Sequence, residues 1–271
     1  MNLADGIADA LAYIEENLDG ELTVGEIAAR AYISEFHFQR VFSAICGLTV
    51  GKYVRNRRLT LAARELAGGG VKVTDVAMKY GYGSMEGFSR AFARFHGVSP
   101  SDVLAGASAK SFPPLKPKIK SEANGMEFRV VHKEAFTVFG LCREFSNETA
   151  YQDIPAWWDE HLASENRPVM GRFGVCIDTD GEHFDYLIAD EYRPWEELPE
   201  GCVARSFDAG DWAVFPCNVT TLQDTNTRMW GEWLPSQREY RLRANMNIEL
   251  YDTPEEKYCE LWLPVEKVRQ A

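Results

Sequence analysis

Two short stretches near the end of the chain combine a carboxylate with aromatic rings at strand spacing. In Asn247-Ile248-Glu249-Leu250-Tyr251, alternation sends Ile248 and Leu250 one way, toward the helices, and Asn247, Glu249 and Tyr251 the other. In Glu260-Leu261-Trp262-Leu263, Leu261 and Leu263 read as core, which leaves Glu260 and Trp262 opposite. A carboxylate framed by rings suits a flat or cationic ligand, through charge pairing and cation–π contact. The same residues could equally form a solvated face over an ordinary aromatic core. A second set of groups lies at helical spacing: Glu35, Phe36, Gln39 and Arg40, on the side away from Phe38, Val41, Phe42 and Ile45. About 50 residues later Met85, Glu86, Gly87 and Arg90 take the same stations, and both sets would face a partner.

The elements that carry the second set repeat. Ile27-Ala28 and Ser34-x-x-x-Phe38-x-Arg40-x-Phe42 return as Val76-Ala77 and Ser84-x-x-x-Phe88-x-Arg90-x-Phe92, and Gly47-x-Thr49 returns as Gly97-x-Ser99. The offset changes from 49 to 50 at a turn, where Gly83 adds one residue, as two copies of one small fold allow. Each copy reads as a short helix, a tight turn and a second helix capped by serine. Thr23 with Glu26 forms a capping-box pattern that starts the first helix. Between the copies, Val50 to Ala67 keeps Tyr53, Val54, Leu59, Ala62, Ala63 and Leu66 at helical spacing and stops at Gly68-Gly69-Gly70. One long helix would hold two helix-turn-helix units at the ~34 Å spacing of consecutive major grooves.

Charge is distributed to match. The net charge is −12, yet Arg40 to Pro100 holds ten Lys/Arg against three Asp/Glu, whereas residues 121–271 hold 14 basic against 29 acidic groups. A local basic field on an acidic chain is what a phosphate-facing surface requires.

The stretch His37-Phe38-Gln39-Arg40-Val41-Phe42, Arg58-Leu59, Gly81-Tyr82, Phe88-Ser89-Arg90-Ala91-Phe92 and Gly97-Val98-Ser99-Pro100 resembles the AraC/XylS DNA-binding domain over about 100 residues. The resemblance implies two recognition helices in successive major grooves, with Phe36, Gln39 and Arg40 in the first and Met85, Glu86 and Arg90 in the second facing DNA. Gln pairs with adenine, Arg with guanine, and Glu accepts from cytosine. Gly87 leaves a gap where a side chain could reach a base. Lys52, Arg55, Arg57 and Arg64 are the phosphate candidates, while Arg58 reads as pairing within the domain.

Ala105 to Lys120 has three Pro, four Lys and no acid, and reads as an extended linker. Beyond it, strands are expected at Phe128–Val131, Phe136–Cys142, Phe173–Asp178, Phe184–Ala189, Val203–Phe207, Trp212–Cys217, Asn247–Asp252 and Cys259–Val265. Helices are expected from about Pro155 and over Thr220 to Leu234. Thr137-Val138-Phe139 corresponds to Ala213-Val214-Phe215, and Asp178 to Asp252, so two ββαββ halves would pack about a pseudo-two-fold with a cleft between sheets. Ile154-Pro155-x-x-Trp158, Phe173-Gly174-Val175-Cys176, Trp212-Ala213-Val214-Phe215, Glu232-Trp233-Leu234-Pro235, Ile248-Glu249-x-Tyr251 and Glu260-Leu261-Trp262-Leu263-Pro264-Val265 resemble the GyrI-like, or transcription-activator effector-binding, domain. That resemblance implies an acid in a cleft of aromatics, matched best by Glu249. Tyr251, Trp262, Glu260, Trp158, Trp212, Phe215 and Trp233 complete the candidate ligand set.

The six cysteines form no C-x-x-C and the five His are scattered, so neither a zinc site nor any cofactor is expected. With no run of 18 apolar residues and no leader pattern, the chain reads as cytoplasmic, reduced and without a membrane segment. The sequence thus describes a multi-domain α and α+β protein. Residues 1–106 form an all-α double helix-turn-helix domain, 107–124 a linker, and 125–271 an α+β domain of two ββαββ halves around a ligand cleft. The function expected is a DNA-binding transcription regulator, an activator, whose second domain binds an aromatic or cationic effector without turning it over. Its partners would be double-stranded DNA, the effector and RNA polymerase, with the chain a monomer or homodimer. The alternatives are a second domain that hydrolyses a small molecule, with Glu as general base, or a stoichiometric sequestering module.

Overall fold

In the computed structural model, which describes residues 3–116, 125–178, 183–193, 197–251 and 258–268, the helical signals of the first hundred residues close as hydrogen bonds almost throughout. Helix α1 (Leu3–Glu16), which the sequence reading passed over, buries Ile7, Ala10, Leu11 and Ile14 at spacings of three and four. Thr23 and Glu26 form the capping box that opens α2 (Val24–Arg30). Ser34 Oγ accepts from the His37 N–H at the start of α3 (Glu35–Cys46), and Thr49 caps α4 (Val50–Ala67), which ends at Gly68. After α5 (Val73–Lys79), Ser84 caps α6 (Met85–His96), and Ser99 with Asp102 boxes the start of α7 (Pro100–Leu104). The pairs α2–α3 and α5–α6 are the two helix-turn-helix units of the repeat.

Contacts divide the chain into two compact units, Met1–Phe38 with Cys46–Lys118, and Gln39–Ile45 with Ile119–Ala271. In the first, Leu59, Ala62, Ala63 and Leu66 of α4 pack with Val76, Ala77, Tyr80, Phe88 and Phe92. Full burial of a Phe contributes about 1.5–3 kcal/mol. The proline- and lysine-rich stretch is extended through residue 116 and lies along α4. Phe112 packs edge-on against Tyr53 and its N–H donates to Thr60 Oγ1 at 3.1 Å, and the Leu115 N–H donates to the Tyr53 hydroxyl. Residues 117–124 lie outside the described residues.

The second unit is built on one nine-stranded antiparallel sheet. Its elements are β1 (Arg129–Lys133), β2 (Phe136–Ser146), α8 (Ala150–Ala163), β3 (Phe173–Asp178), β4 (His183–Glu191), β5 (Val203–Phe207) and β6 (Gly210–Asn218). Then come α9 (Leu222–Arg228), continued by a π-helical turn (Met229–Trp233) into α10 (Leu234–Ser236), and β7 (Tyr240–Leu242), β8 (Met246–Tyr251) and β9 (Tyr258–Lys267). Helix α8 begins five residues before Pro155, which sits inside it, and β7 was not foreseen. The order β1-β6-β9-β8-β3-β4-β2-β5, with β7 on β9, reads the same from both ends when β1, β2, β3 and β4 are exchanged with β5, β6, β8 and β9. That is the pseudo-two-fold of two ββαββ halves, each lending its first strand to the other half. Asp252, one of the repeat markers, lies outside the described residues.

Residues directly opposite on antiparallel strands share a face. One face carries Val138, Val175, Leu187, Trp212, Val214, Ile248 and Trp262 as a continuous apolar core, and contact between Phe136 of β2 and Trp212 of β6, several strands apart, shows the sheet curled around it. The other face carries Cys176, Phe184, Tyr186 and Ile188 under Trp157, Trp158 and Ile154 of α8. The side enclosed by the curl is filled by this apolar core, and a single curled sheet stands where two were expected. Ile248 and Leu250 face that filled side, whereas the helices cover the side of Glu249, the reverse of the expected assignment.

Candidate functional site

On the helical domain, Met85, Glu86 and Arg90 stand exposed along the first turns of α6, with Arg90 and Glu86 paired at 3.2 Å. Gly87 donates its N–H to the Ser84 cap, and a Cβ there would sit 3.0 Å from that hydroxyl. On α3, Phe36 and Gln39 are buried and Arg40 is half-buried. Lys52, Arg55 and Arg64 lie exposed on α4. Arg57 does not: the residue is 3% exposed, and its guanidinium grips Glu15 of α1 with Nε at 2.9 Å and an Nη at 2.7 Å, while its other Nη donates to the Phe112 carbonyl. A buried arginine whose donors are taken up inside the domain cannot reach phosphate, which corrects its expected place. Beside it, Arg58 donates to the carbonyls of Leu18 and Gly20, the internal pairing expected of it.

In the second unit, strand register divides the expected ligand set between two faces. Ile248 pairs with Trp262 and Leu250 with Glu260, so Glu260 and Trp262 lie on the filled side together with Trp212. Glu260 is 5% exposed and accepts from Arg129 at 2.5 Å, the Tyr258 hydroxyl at 2.8 Å and the Trp262 indole at 2.7 Å. Burial alone would raise its pKa, but these three donors hold it below 4.5. Glu260, Trp262 and Trp212 thus belong to the core on the opposite face and its edge, not to a pocket with Glu249.

Glu249 shares its face with Tyr251, and the row through it runs Phe215, Leu261, Glu249, Gly174, Ile188 across five strands. Its Oε2 accepts from the hydroxyl of Tyr186 at 2.6 Å and from that of Tyr251 at 2.9 Å. The Tyr186 hydroxyl in turn accepts from the Trp158 indole at 2.8 Å, and the Trp158 ring meets Tyr251 edge-on at 5.1 Å. Two strands away, ~10 Å at sheet spacing, Phe215 packs edge-on against Trp233 at 4.9 Å. Burial raises the Glu249 pKa above 4.5, with the two hydroxyls and, to a lesser degree, the charge of Arg40 acting against it. Burial and the adjacent carboxylate push both tyrosines well above their ordinary value. Gly174 makes the arrangement possible, since a Cβ there would collide with the Tyr186 hydroxyl and lie 2.6 Å from Glu249 Oε2. Tyr186 was missed by the sequence reading, and Gly174 was noted only inside a motif. The available signal was the alternation His183-Phe184-Asp185-Tyr186, which places a tyrosine in register near Gly174. Among the described residues there is no cluster of His, Cys, Asp or Glu able to hold a metal, and no helix long and apolar enough to cross a membrane.

The chain matches two family models, a helix-turn-helix domain over residues 27–106 and an integron-associated effector binding protein over residues 129–265. It is 30% identical to the right origin-binding protein of Escherichia coli (strain K12), over 98% of this chain and 100% of that one. The HTH-type transcriptional activator AarP of Providencia stuartii is 39% identical over 35% of this chain and 70% of its own. Among solved structures, SAV2435 bound to tetraphenylphosphonium covers 52% of this chain and 94% of its own, at 18% identity and a TM-score of 0.43. With a double helix-turn-helix domain and an effector-binding domain matched along nearly its whole length, the chain belongs to the AraC-type, DNA-binding transcription regulators that carry a C-terminal small-molecule-binding domain.

Proposed function

We propose that the effector is a small cation with aromatic surface, held on Glu249 beside Trp158 and Tyr251 and bounded by Phe215 and Trp233. Its binding would alter how the helical domain engages promoter DNA and RNA polymerase, with activation as the outcome. The observation that supports this most is the environment of Glu249. Burial disfavours its charge, and the two groups that hydrogen-bond it are neutral hydroxyls, with the charge of Arg40 a lesser influence in the same direction. A bound cation would offset the buried charge directly, and the adjacent rings add cation–π attraction.

The sign of regulation is supported by the activator AarP, which matches over the helical domain. For sequence reading we assign the exposed Met85, Glu86 and Arg90 to a major groove, with Lys52, Arg55 and Arg64 on phosphates, whereas Phe36 and Gln39 are buried and Arg40 lies over the Phe184 ring. Titration of cationic dyes by fluorescence tests the effector site. Glu249→Gln keeps the shape and should lose at least tenfold in affinity, because truncating one partner of a desolvated charge pair costs ~2–5 kcal/mol. Equal affinities would place the ligand elsewhere.

A further inference from the structure

Asn247 lies two residues before Glu249 on β8 and on the same face, opposite Cys176 of β3. Asn247 is 1% exposed, and its amide has no nitrogen or oxygen partner among the described residues, meeting only the Cys176 thiol opposite. The Cys176 thiol beside it is a weak donor and acceptor. Buried amides are almost always paired, and one that is not needs a reason. The strand supplies none, because Met246 and Ile248 on either side are buried and apolar and a leucine of similar volume would suit the position. Glu249, by contrast, accepts from two hydroxyls at its Oε2. This face of β8 therefore holds two polar groups ~7 Å apart along one strand, one oriented by hydroxyls and one whose amide meets only a thiol.

We propose that Asn247 is a second anchor of the effector site, so that the effector carries a hydrogen-bonding group, such as an aromatic amine, amide or hydroxyl, in addition to its positive charge. This rests on the reading of Glu249 as the cation anchor and narrows the ligand class from lipophilic cations in general to cationic heteroaromatics bearing a polar substituent. An amide accepts and donates at once, so it selects for such substituents with little regard to ring size.

The test uses the full chain and a matched pair of fluorescent cations, 10-methylacridinium and 3,6-diamino-10-methylacridinium, which differ only in two amino groups. The wild type should bind both and favour the diamino compound. Asn247→Leu should reduce that preference at least tenfold while leaving 10-methylacridinium as tightly bound as before, and should melt at the same or a higher temperature because a buried amide paired only with a thiol has been removed. Glu249→Gln should weaken both compounds together. An unchanged preference in Asn247→Leu, with Glu249→Gln still weakening both, would overturn the second anchor and leave the first standing. A lower melting temperature in Asn247→Leu would show that the amide serves the fold and would also overturn it. Failure of both cations to bind the wild type would overturn the two anchors together.

Discussion

A single carboxylate can stabilise a fold or wait for a ligand, and Glu260 and Glu249 separate the two uses. Glu260 is held below its ordinary pKa by three donors, so its contribution to stability is present above pH 4.5 and is lost as the pH falls. Replacing it with Ala should cost ~1–3 kcal/mol, since it leaves the buried Trp262 indole without its acceptor, and chemical denaturation would measure the loss with cation affinity unchanged. Glu249 has the opposite sign. Its pKa is raised, so a cation binds best once the carboxylate is ionised, and affinity should climb as pH rises above 4.5 and level off beyond the raised pKa. A titration of dye affinity against pH that falls or stays flat would count against the assignment. Backbone strain offers a third residue-scale test. Tyr32 has φ +56° and is 77% exposed, while Gly81, its counterpart in the second repeat, has φ +81°. Tyr32→Gly should raise stability by ~1 kcal/mol, because a side chain in the left-handed region costs ~1–2 kcal/mol, and a lower melting temperature would show that the ring contributes more than the strain it bears.

Helix α4 serves its neighbours as much as it spans between the two repeats. Its Tyr53 and Arg57 clasp Glu15 of α1, and Arg58 caps the carbonyls that follow α1. Arg57→Ala should therefore destabilise the helical domain by ~3 kcal/mol, the scale for removing one partner of a buried ion pair. Arg55→Ala, on the exposed side, should leave melting unchanged and weaken all duplex sequences alike. Binding measured together with thermal melting distinguishes these, and a stable Arg57→Ala that merely loses DNA would reverse the assignment.

At the scale of the molecule, the extended stretch after α7 extends the helical domain through contacts that its composition conceals. Phe112 and Leu115 hold on to Tyr53, Arg57 and Thr60. A fragment of residues 1–116 should therefore melt well above one of residues 1–106, and should bind duplex DNA with an affinity that falls steeply with salt, as counterion release demands. Identical melting of the two fragments would make the stretch a passive tether.

Local signals alone placed most of the helices and strands, because caps, glycine stops and periodicities of 3.6 and 2 act over a few residues. The Thr23–Glu26 box, the Ser34 and Ser84 caps, the long helix ending at Gly68 and the alternation that sets Glu249 against Ile248 were all legible in this way. Helix α1 was legible too, in Ile7, Ala10, Leu11 and Ile14, but went unread. Long-range register and packing decided what no short window contains. Alternation says that neighbours on a strand face opposite ways; it cannot say which way lies under a helix. The pairing of Leu250 with Glu260 and of Gly174 with Glu249 settled that, separating Glu260, Trp262 and Trp212 from Glu249 and bringing Tyr186 to it from 63 residues away. Arg57 and Arg58 are likewise adjacent and chemically alike, and their shared turn inward was decided by where α1 and Phe112 come to rest.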